Sequence, residues 1–141
     1  MENIKAALWG FGAMGSGIAS MLLKKTGVEI IGVCDIHPDR AGKNMYDILG
    51  IDGKDKAPVI IQSKIEDVIK EKNCDIVILA TDSYTKNAFP KIKFCLEKKV
   101  NVISTAEEMA FPKAQSPELA EEMDRIAKEN GVTVLGTGIN P

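Results

Sequence analysis

Short apolar runs alternate along the chain with longer segments in which apolar residues recur every three or four positions. The runs predict about six strands, at residues 4–9, 28–34, 59–61, 75–80, 100–103 and 132–135. The segments between them predict helices at 13–25, 40–49, from 63 onward, from 87 onward and at 117–130. Strands that alternate with helices indicate an α/β protein built on a doubly wound parallel sheet, with the strand order 3-2-1-4-5-6.

The turn after the first predicted strand is rich in glycine. Residues 9–15 read WGFGAMG, so Gly10, Gly12 and Gly15 have G-x-G-x-x-G spacing between a strand and a helix. In that frame the glycines allow a tight turn, close approach of the backbone to a pyrophosphate, and close packing of helix on strand. The helix N-terminus offers N–H groups to the phosphates. The sequence therefore predicts the dinucleotide-binding loop of a Rossmann fold at Gly10, Phe11, Gly12, Ala13, Met14 and Gly15.

An acidic residue ends the second predicted strand. Asp35 lies twenty positions after Gly15, where a carboxylate accepts hydrogen bonds from the hydroxyls of an adenosine ribose. With its neighbour Ile36 it is predicted to line the cofactor site. Its charge opposes a 2′-phosphate and favours NAD, whereas Arg40 carries the guanidinium that a 2′-phosphate needs. NAD or NADP is therefore the predicted cofactor, and His37 is interpreted as a solvent-facing loop residue in preference to a further donor.

Small and hydroxyl residues follow the later strands. Ala80 and Thr81 come after the fourth predicted strand, and Thr105 comes after the fifth. Because the carboxyl ends of parallel strands share one edge, Ala80 and Thr81 are predicted near the middle of a dinucleotide and Thr105 toward its nicotinamide end. Helix capping explains each hydroxyl equally well when it is taken alone. Glu107 and Glu108 are interpreted as acids in the first turn of a short helix, so the sequence identifies no catalytic residue.

Composition and charge narrow the classes of partner. The net charge of −2 provides no basic field for nucleic acid or anionic lipid. No apolar run approaches the roughly 20 residues that cross a bilayer, and the first residues lack the layout of a signal peptide. Three widely spaced cysteines without a C-x-x-C pair are typical of reduced, buried thiols and not of zinc. We therefore expect a cytoplasmic protein with no metal, no membrane and no nucleic-acid partner.

Five segments carry a family resemblance. They read LWGFGAMG (8–15), VCDIHPDR (33–40), ILATDS (78–83), NVISTAEE (101–108) and LGTGINP (135–141). Together they resemble the cofactor domain of the dihydrodipicolinate reductase-like family, and within it the dehydrogenases that act on 2,4-diaminopentanoate. The resemblance implies NAD(P)-dependent oxidative deamination of that amino acid to 2-amino-4-oxopentanoate, in ornithine breakdown. It also implies homo-oligomers assembled largely through a second domain.

The resemblance extends over the whole chain but matches only the N-terminal part of such an enzyme. We therefore expect residues 1–141 to form one NAD(P)-binding domain, with the catalytic and oligomerisation domain outside this chain. Such a domain binds a dinucleotide and turns over little of a small-molecule amino-acid substrate by itself. Two other classes share the loop and the acid: a regulatory NAD(H)-sensing domain, and an S-adenosylmethionine methyltransferase, whose loop usually lacks the third glycine. A reductase-like enzyme with another substrate is a further alternative.

Overall fold

The computed structural model describes residues 3–53, 55–70, 73–82, 84–110 and 116–137. Within them the strands are β1 (Ile4–Trp9), β2 (Val28–Cys34), β3 (Ile76–Leu79), β4 (Asn101–Ser104) and β5 (Val134–Gly136). The helices are α1 (Ala13–Leu23), α2 (Met45–Leu49), α3 (Thr85–Glu97) and α4 (Pro117–Asn130), with 3₁₀ turns at Ile65–Asp67 and Glu107–Ala110. None of these helices combines the length and the apolar character that crossing a bilayer demands.

The sheet is parallel throughout, in the order β2-β1-β3-β4-β5. This confirms the predicted doubly wound Rossmann-like α/β fold. The predicted third strand at 59–61 is reduced to isolated bridges, one parallel between Cys34 and Gln62 and one antiparallel between Asn44 and Ile60. Gln62 thus lies beside β2, where the predicted order puts strand three. The strand is short because the segment also pairs on its other side, through the N–H of Ile61 and the carbonyl of Lys43 at 2.8 Å.

Four helix boundaries differ from the sequence prediction. Helix α1 ends at Leu23 instead of residue 25. Helix α2 begins at Met45 instead of residue 40, because the side chain of Asn44 caps it by accepting from the N–H of Tyr46 at 3.2 Å. The helix predicted from residue 63 is a single 3₁₀ turn. Helix α3 begins two residues earlier than predicted, at Thr85, so that Pro90 lies inside the helix and not in its first turn.

Two hydrophobic clusters flank the sheet, and neighbouring residues of β1 belong to different clusters, as the alternation of side chains along a strand requires. Ala7 packs with residues of α3 and α4, and Leu8 packs with residues of α1 and α2. Helix α1 contacts the sheet through small residues, with Gly15 and Ala19 buried. Met21, on the same helix, is 63% exposed. The helices pack on the two faces of the sheet and leave the carboxyl ends of its central strands uncovered.

Candidate functional site

A cleft of about 790 Å³ opens at the carboxyl ends of β1, β2 and β3. The sheet order reverses direction there, because the chain passes from β1 outward to β2 and then returns to β3 on the other side of β1. Such a switch point is where doubly wound sheets bind ligands. The cleft is lined by residues of five segments: 9–10 and 12, 34–38 and 40, 63–66, 80–81, and Lys91.

Two of the three loop glycines are required by the protein's own packing. Gly10 has φ +104°, and a Cβ there would lie 2.8 Å from the carbonyl oxygen of Ala80. A Cβ on Gly15 would collide with the carbonyl oxygen of Gly10. Gly10 and Gly15 thus bring the start of α1 against β1, which is the close helix–strand contact predicted from the sequence.

Gly12 differs from the other two loop glycines, because neither its backbone angles nor its neighbours exclude a side chain. Its φ of −75° suits any residue, and the nearest atom to a Cβ built on it is Nη2 of Arg40 at 3.9 Å. Nothing in the described protein therefore demands the absence of a side chain. Gly12 is the N-cap of α1, which has neither a side-chain cap hydrogen bond nor an acidic residue in its first turn. The space and the unsatisfied N–H donors together fit an anionic group such as a diphosphate.

Asp35 lies beside this loop and holds it. Its Oδ2 accepts from the N–H of Phe11 at 2.7 Å, and its Oδ1 accepts from the N–H of His37 at 2.8 Å. The side chain is only 10% exposed, and it lines the cleft. The carboxylate is thus fixed between the glycine loop and the loop after β2, at the position from which it can accept from sugar hydroxyls.

Arg40 pairs with Asp35 across the mouth of the loop. Nη1 lies 3.4 Å from Oδ2 of Asp35, and the arginine side chain is 32% exposed. The carboxylate of Asp35, which favours the 2′-hydroxyl of NAD, and the guanidinium of Arg40, which favours the 2′-phosphate of NADP, are therefore in contact in one site. His37 is exposed, and its Nδ1 accepts from the N–H of Asp39 at 3.1 Å, which closes the turn.

The remaining predicted site residues divide into those that line the cleft and those that do not. Ile36, Ala80 and Thr81 line it. Phe11 is buried beneath the loop in the cluster around Leu8. Ala13 is exposed, and Met14 is partly buried, at the start of α1.

Thr105 lies away from the cleft lining. It is 8% exposed, and both its N–H and its hydroxyl donate to the carbonyl of Leu79, at 3.0 and 3.3 Å. The residue therefore joins the end of β4 to the end of β3 in this structure, a local role different from the helix capping considered from the sequence. Its contact with the nicotinamide stays a prediction.

Sequence reasoning missed two parts of the cleft lining. Lys91 of α3 donates to Oγ1 of Thr81 at 2.8 Å and to Oδ2 of Asp82 at 3.0 Å. Residues 63–66, predicted only as the start of a helix, form a second part of the lining. Lys91 reaches the cleft because α3 packs beside β3, and no local pattern of the sequence indicates that placement.

The three cysteine thiols have raised pKa values. Burial, followed by the nearby charges of Asp35 and Glu66, raises the pKa of the Cys34 thiol to about 11 although it lines the cleft. Burial raises the pKa of Cys74 to about 11 and that of Cys95 to about 12. All three thiols are free and protonated near neutral pH. The described residues contain no cluster of three or more His, Cys, Asp or Glu side chains that would hold a metal ion.

Comparison with known proteins agrees with this geometry. The model of an oxidoreductase family with an NAD-binding Rossmann fold matches residues 4–137. The chain is 59% identical over its 141 residues to 2,4-diaminopentanoate dehydrogenase from Acetoanaerobium sticklandii, and covers 39% of that protein. Amine dehydrogenase from Mycobacterium smegmatis is 36% identical, with a TM-score of 0.87 over 96% of this chain and 39% of that one.

A more distant structure shares only the fold. Homoserine dehydrogenase from Staphylococcus aureus is 14% identical, with a TM-score of 0.72 over 99% of this chain and 33% of that one. The chain thus spans about two fifths of the length of 2,4-diaminopentanoate dehydrogenase and of amine dehydrogenase. The predicted resemblance to the diaminopentanoate dehydrogenases is confirmed by the identity over the whole chain. The family match and the glycine loop lead to one conclusion: this chain belongs to an oxidoreductase family with an NAD-binding Rossmann fold.

Proposed function

We propose that this chain is the NAD(P)-binding part of a dehydrogenase that oxidatively deaminates 2,4-diaminopentanoate to 2-amino-4-oxopentanoate. The substrate is proposed from the 59% identity to 2,4-diaminopentanoate dehydrogenase, and the amine dehydrogenase structure supports oxidation at a carbon that bears an amino group. The observation that carries the cofactor assignment is Gly12, which leaves an open position at the N-terminus of α1 beside the carboxylate of Asp35.

The residues of this chain bind and orient the cofactor. The N–H groups at the start of α1 hold the diphosphate, and Asp35 accepts hydrogen bonds from the ribose. Arg40 is placed to hold a 2′-phosphate, so that both NAD and NADP are accepted. When bound, the cofactor supplies a hydride acceptor. Loss of a hydride and a proton from the substrate's amine-bearing carbon and nitrogen leaves an imine, and water converts the imine to a ketone and ammonia.

Proton transfer and substrate recognition are assigned to another domain. The cleft described here is lined chiefly by groups that fit the cofactor, and the relatives are more than twice as long as this chain. We therefore infer that a catalytic and oligomerisation domain supplies the acid and base groups and the contacts of a homo-oligomer. A cytoplasmic location is proposed with it, because the three cysteines are free, buried thiols.

Equilibrium titration of the chain tests the cofactor assignment. Isothermal titration calorimetry with NADH and NADPH should give saturable binding of both, and S-adenosylmethionine should not compete. Competition by S-adenosylmethionine, or no binding of either dinucleotide, would contradict the assignment. Turnover is measured on the natural protein in its full length, with NAD⁺ and 2,4-diaminopentanoate and with 2-aminopentanoate as the control substrate. Dinucleotide binding without turnover of the diamino acid would favour the NAD(H)-sensing alternative.

A further inference from the structure

Lys91 lies on the wall that α3 contributes to the cleft, and the assignment of the glycine loop gives it no role. Its ammonium sits over the indole of Trp9, 5.8 Å from the ring centroid, and the lysine side chain is 31% exposed. Trp9 is the last residue of β1 and immediately precedes the loop. Trp9, Cys34 and Ile65 also line the cleft. A cationic nitrogen is therefore held beside aromatic and apolar surface inside the proposed cofactor site.

Two acceptors fix the position of this ammonium. Nζ of Lys91 donates to Oγ1 of Thr81 at 2.8 Å and to Oδ2 of Asp82 at 3.0 Å. The Thr81 hydroxyl in turn donates to Oδ2 of Asp82 at 2.6 Å. An ammonium carries three N–H donors, and no acceptor for the third lies among the residues that the structure describes. One donor is therefore available to a molecule in the cleft.

The net charge of the cluster formed by Lys91, Thr81 and Asp82 determines which part of a nucleotide the cluster fits. Asp82, whose side chain is 16% exposed, pairs with Lys91, so the cluster as a whole carries no excess positive charge for a phosphate. The groups suited to anions are the N-terminus of α1 and Arg40, near Gly12. A single donor beside an apolar wall fits a neutral heteroaromatic ring with lone pairs on its edge. Adenine is such a ring.

We propose that Lys91 binds the adenine ring of the cofactor by donating its third N–H to one of the ring nitrogens. The proposal rests on the dinucleotide assignment above and deepens it. Asp82 is then a positioning residue, because it holds the ammonium through Oδ2 and leaves the ring contact to Lys91. The interaction selects the adenylate half of the cofactor by the acceptors on its base.

A charge-removing variant tests the role of the ammonium. Lys91→Met keeps an unbranched side chain against Trp9 and removes all three donors. Calorimetric titration with AMP should show an affinity roughly tenfold or more below that of the unaltered chain, the size of a lost hydrogen bond to a charged group. Lys93→Met is the matched control, since Lys93 is exposed on the same helix and lies outside the cleft lining; it should bind AMP normally. Unchanged AMP affinity in Lys91→Met would overturn the proposal.

A second measurement leaves the protein unaltered and so does not depend on how the variant folds. The unaltered chain is titrated with 1-deaza-, 3-deaza- and 7-deaza-AMP, each of which lacks one ring nitrogen. One of the three analogues should bind the unaltered chain as weakly as AMP binds Lys91→Met. The Lys91→Met variant should bind that analogue and AMP with equal affinity. If all three analogues bind the unaltered chain as AMP does, the proposal is wrong. If neither AMP nor NADH binds the unaltered chain, it is the dinucleotide assignment itself that fails.

Discussion

The N–H of Phe11 donates a hydrogen bond to the carboxylate of Asp35 across 2.7 Å and 24 positions of sequence. This bond joins the middle of the glycine loop to the end of β2, so the two halves of the predicted fingerprint support each other before any ligand is considered. The same Oδ2 lies 3.4 Å from Nη1 of Arg40. Asp35 therefore holds the glycine loop and Arg40 in place, in addition to presenting a hydrogen-bond acceptor in the cleft.

The contact between Asp35 and Arg40 predicts how cofactor preference responds to mutation. Asp35→Asn removes the charge that repels a 2′-phosphate and leaves Arg40 unpaired, so the ratio of NADPH to NADH affinity should rise about tenfold, the equivalent of about 1.4 kcal/mol. Arg40→Met should lower the same ratio. Calorimetric dissociation constants for both dinucleotides check the two directions. An equal change in both affinities would show that the pair only supports the loop.

The glycine loop predicts two stability defects of steric origin. Gly15→Ala places a methyl group against the carbonyl of Gly10, and Gly10→Ala adds a side chain at φ +104°, so each should lower the free energy of unfolding by about 1–3 kcal/mol. Gly17→Ala is the control, because a Cβ there meets nothing within 4 Å and alanine favours the helix by up to about 1 kcal/mol. Urea denaturation measures all three, and a stable Gly15→Ala would contradict the described packing.

The buried thiols predict a loss of stability at alkaline pH. The folded chain raises the pKa of Cys34 to about 11 and that of Cys95 to about 12, from a usual 9.0. Between pH 9 and 11 the folded state thus holds protons that the unfolded state has released. The free energy of unfolding should therefore fall as the pH rises through this range, by up to about 1.4 kcal/mol per pH unit for each thiol.

Urea denaturation at a series of pH values measures this slope. The thiols contribute little slope below about pH 8, because both states are then largely protonated. Cys95→Ala serves as the comparison, and its slope above pH 9 should be shallower than that of the unaltered chain. Equal slopes in the two proteins would mean that Cys95 does not hold its proton in the folded state.

Helix α3 predicts a long-range capping effect. The N-cap residue Tyr84 makes no side-chain cap hydrogen bond, and Oε1 of Glu108 instead accepts from the N–H of Thr85 at 2.9 Å. Glu108→Ala should therefore destabilise the chain by about 1 kcal/mol, the usual cost of losing a cap. The matched control is Glu121→Ala, which removes an exposed carboxylate from α4 beyond its first turn. Thermal unfolding followed by circular dichroism compares the two variants.

The features that sequence reasoning predicted depend on local patterns. The strands of the central sheet are short apolar runs, and the glycine spacing from Gly10 to Gly15 indicates a dinucleotide-binding loop. The features that it missed depend on contacts between distant segments. Helix α3 starts early where Glu108, 23 positions away in sequence, accepts from the N–H of Thr85. Lys91 lines the cleft together with residues from four other segments of the chain. The third strand is short because its segment pairs with residues near Lys43 as well as with β2.

Gly12 provides the most direct test of the claim that this loop binds a dinucleotide. Gly12→Ala and Gly17→Ala both add a methyl group to α1 where the protein leaves room, so both variants should keep the stability of the unaltered chain to within about 1 kcal/mol. Only Gly12→Ala should weaken NADH in calorimetric titration, by tenfold or more, about 1.4 kcal/mol. Equal NADH affinity in the two variants, with both folded, would contradict the assignment of the site.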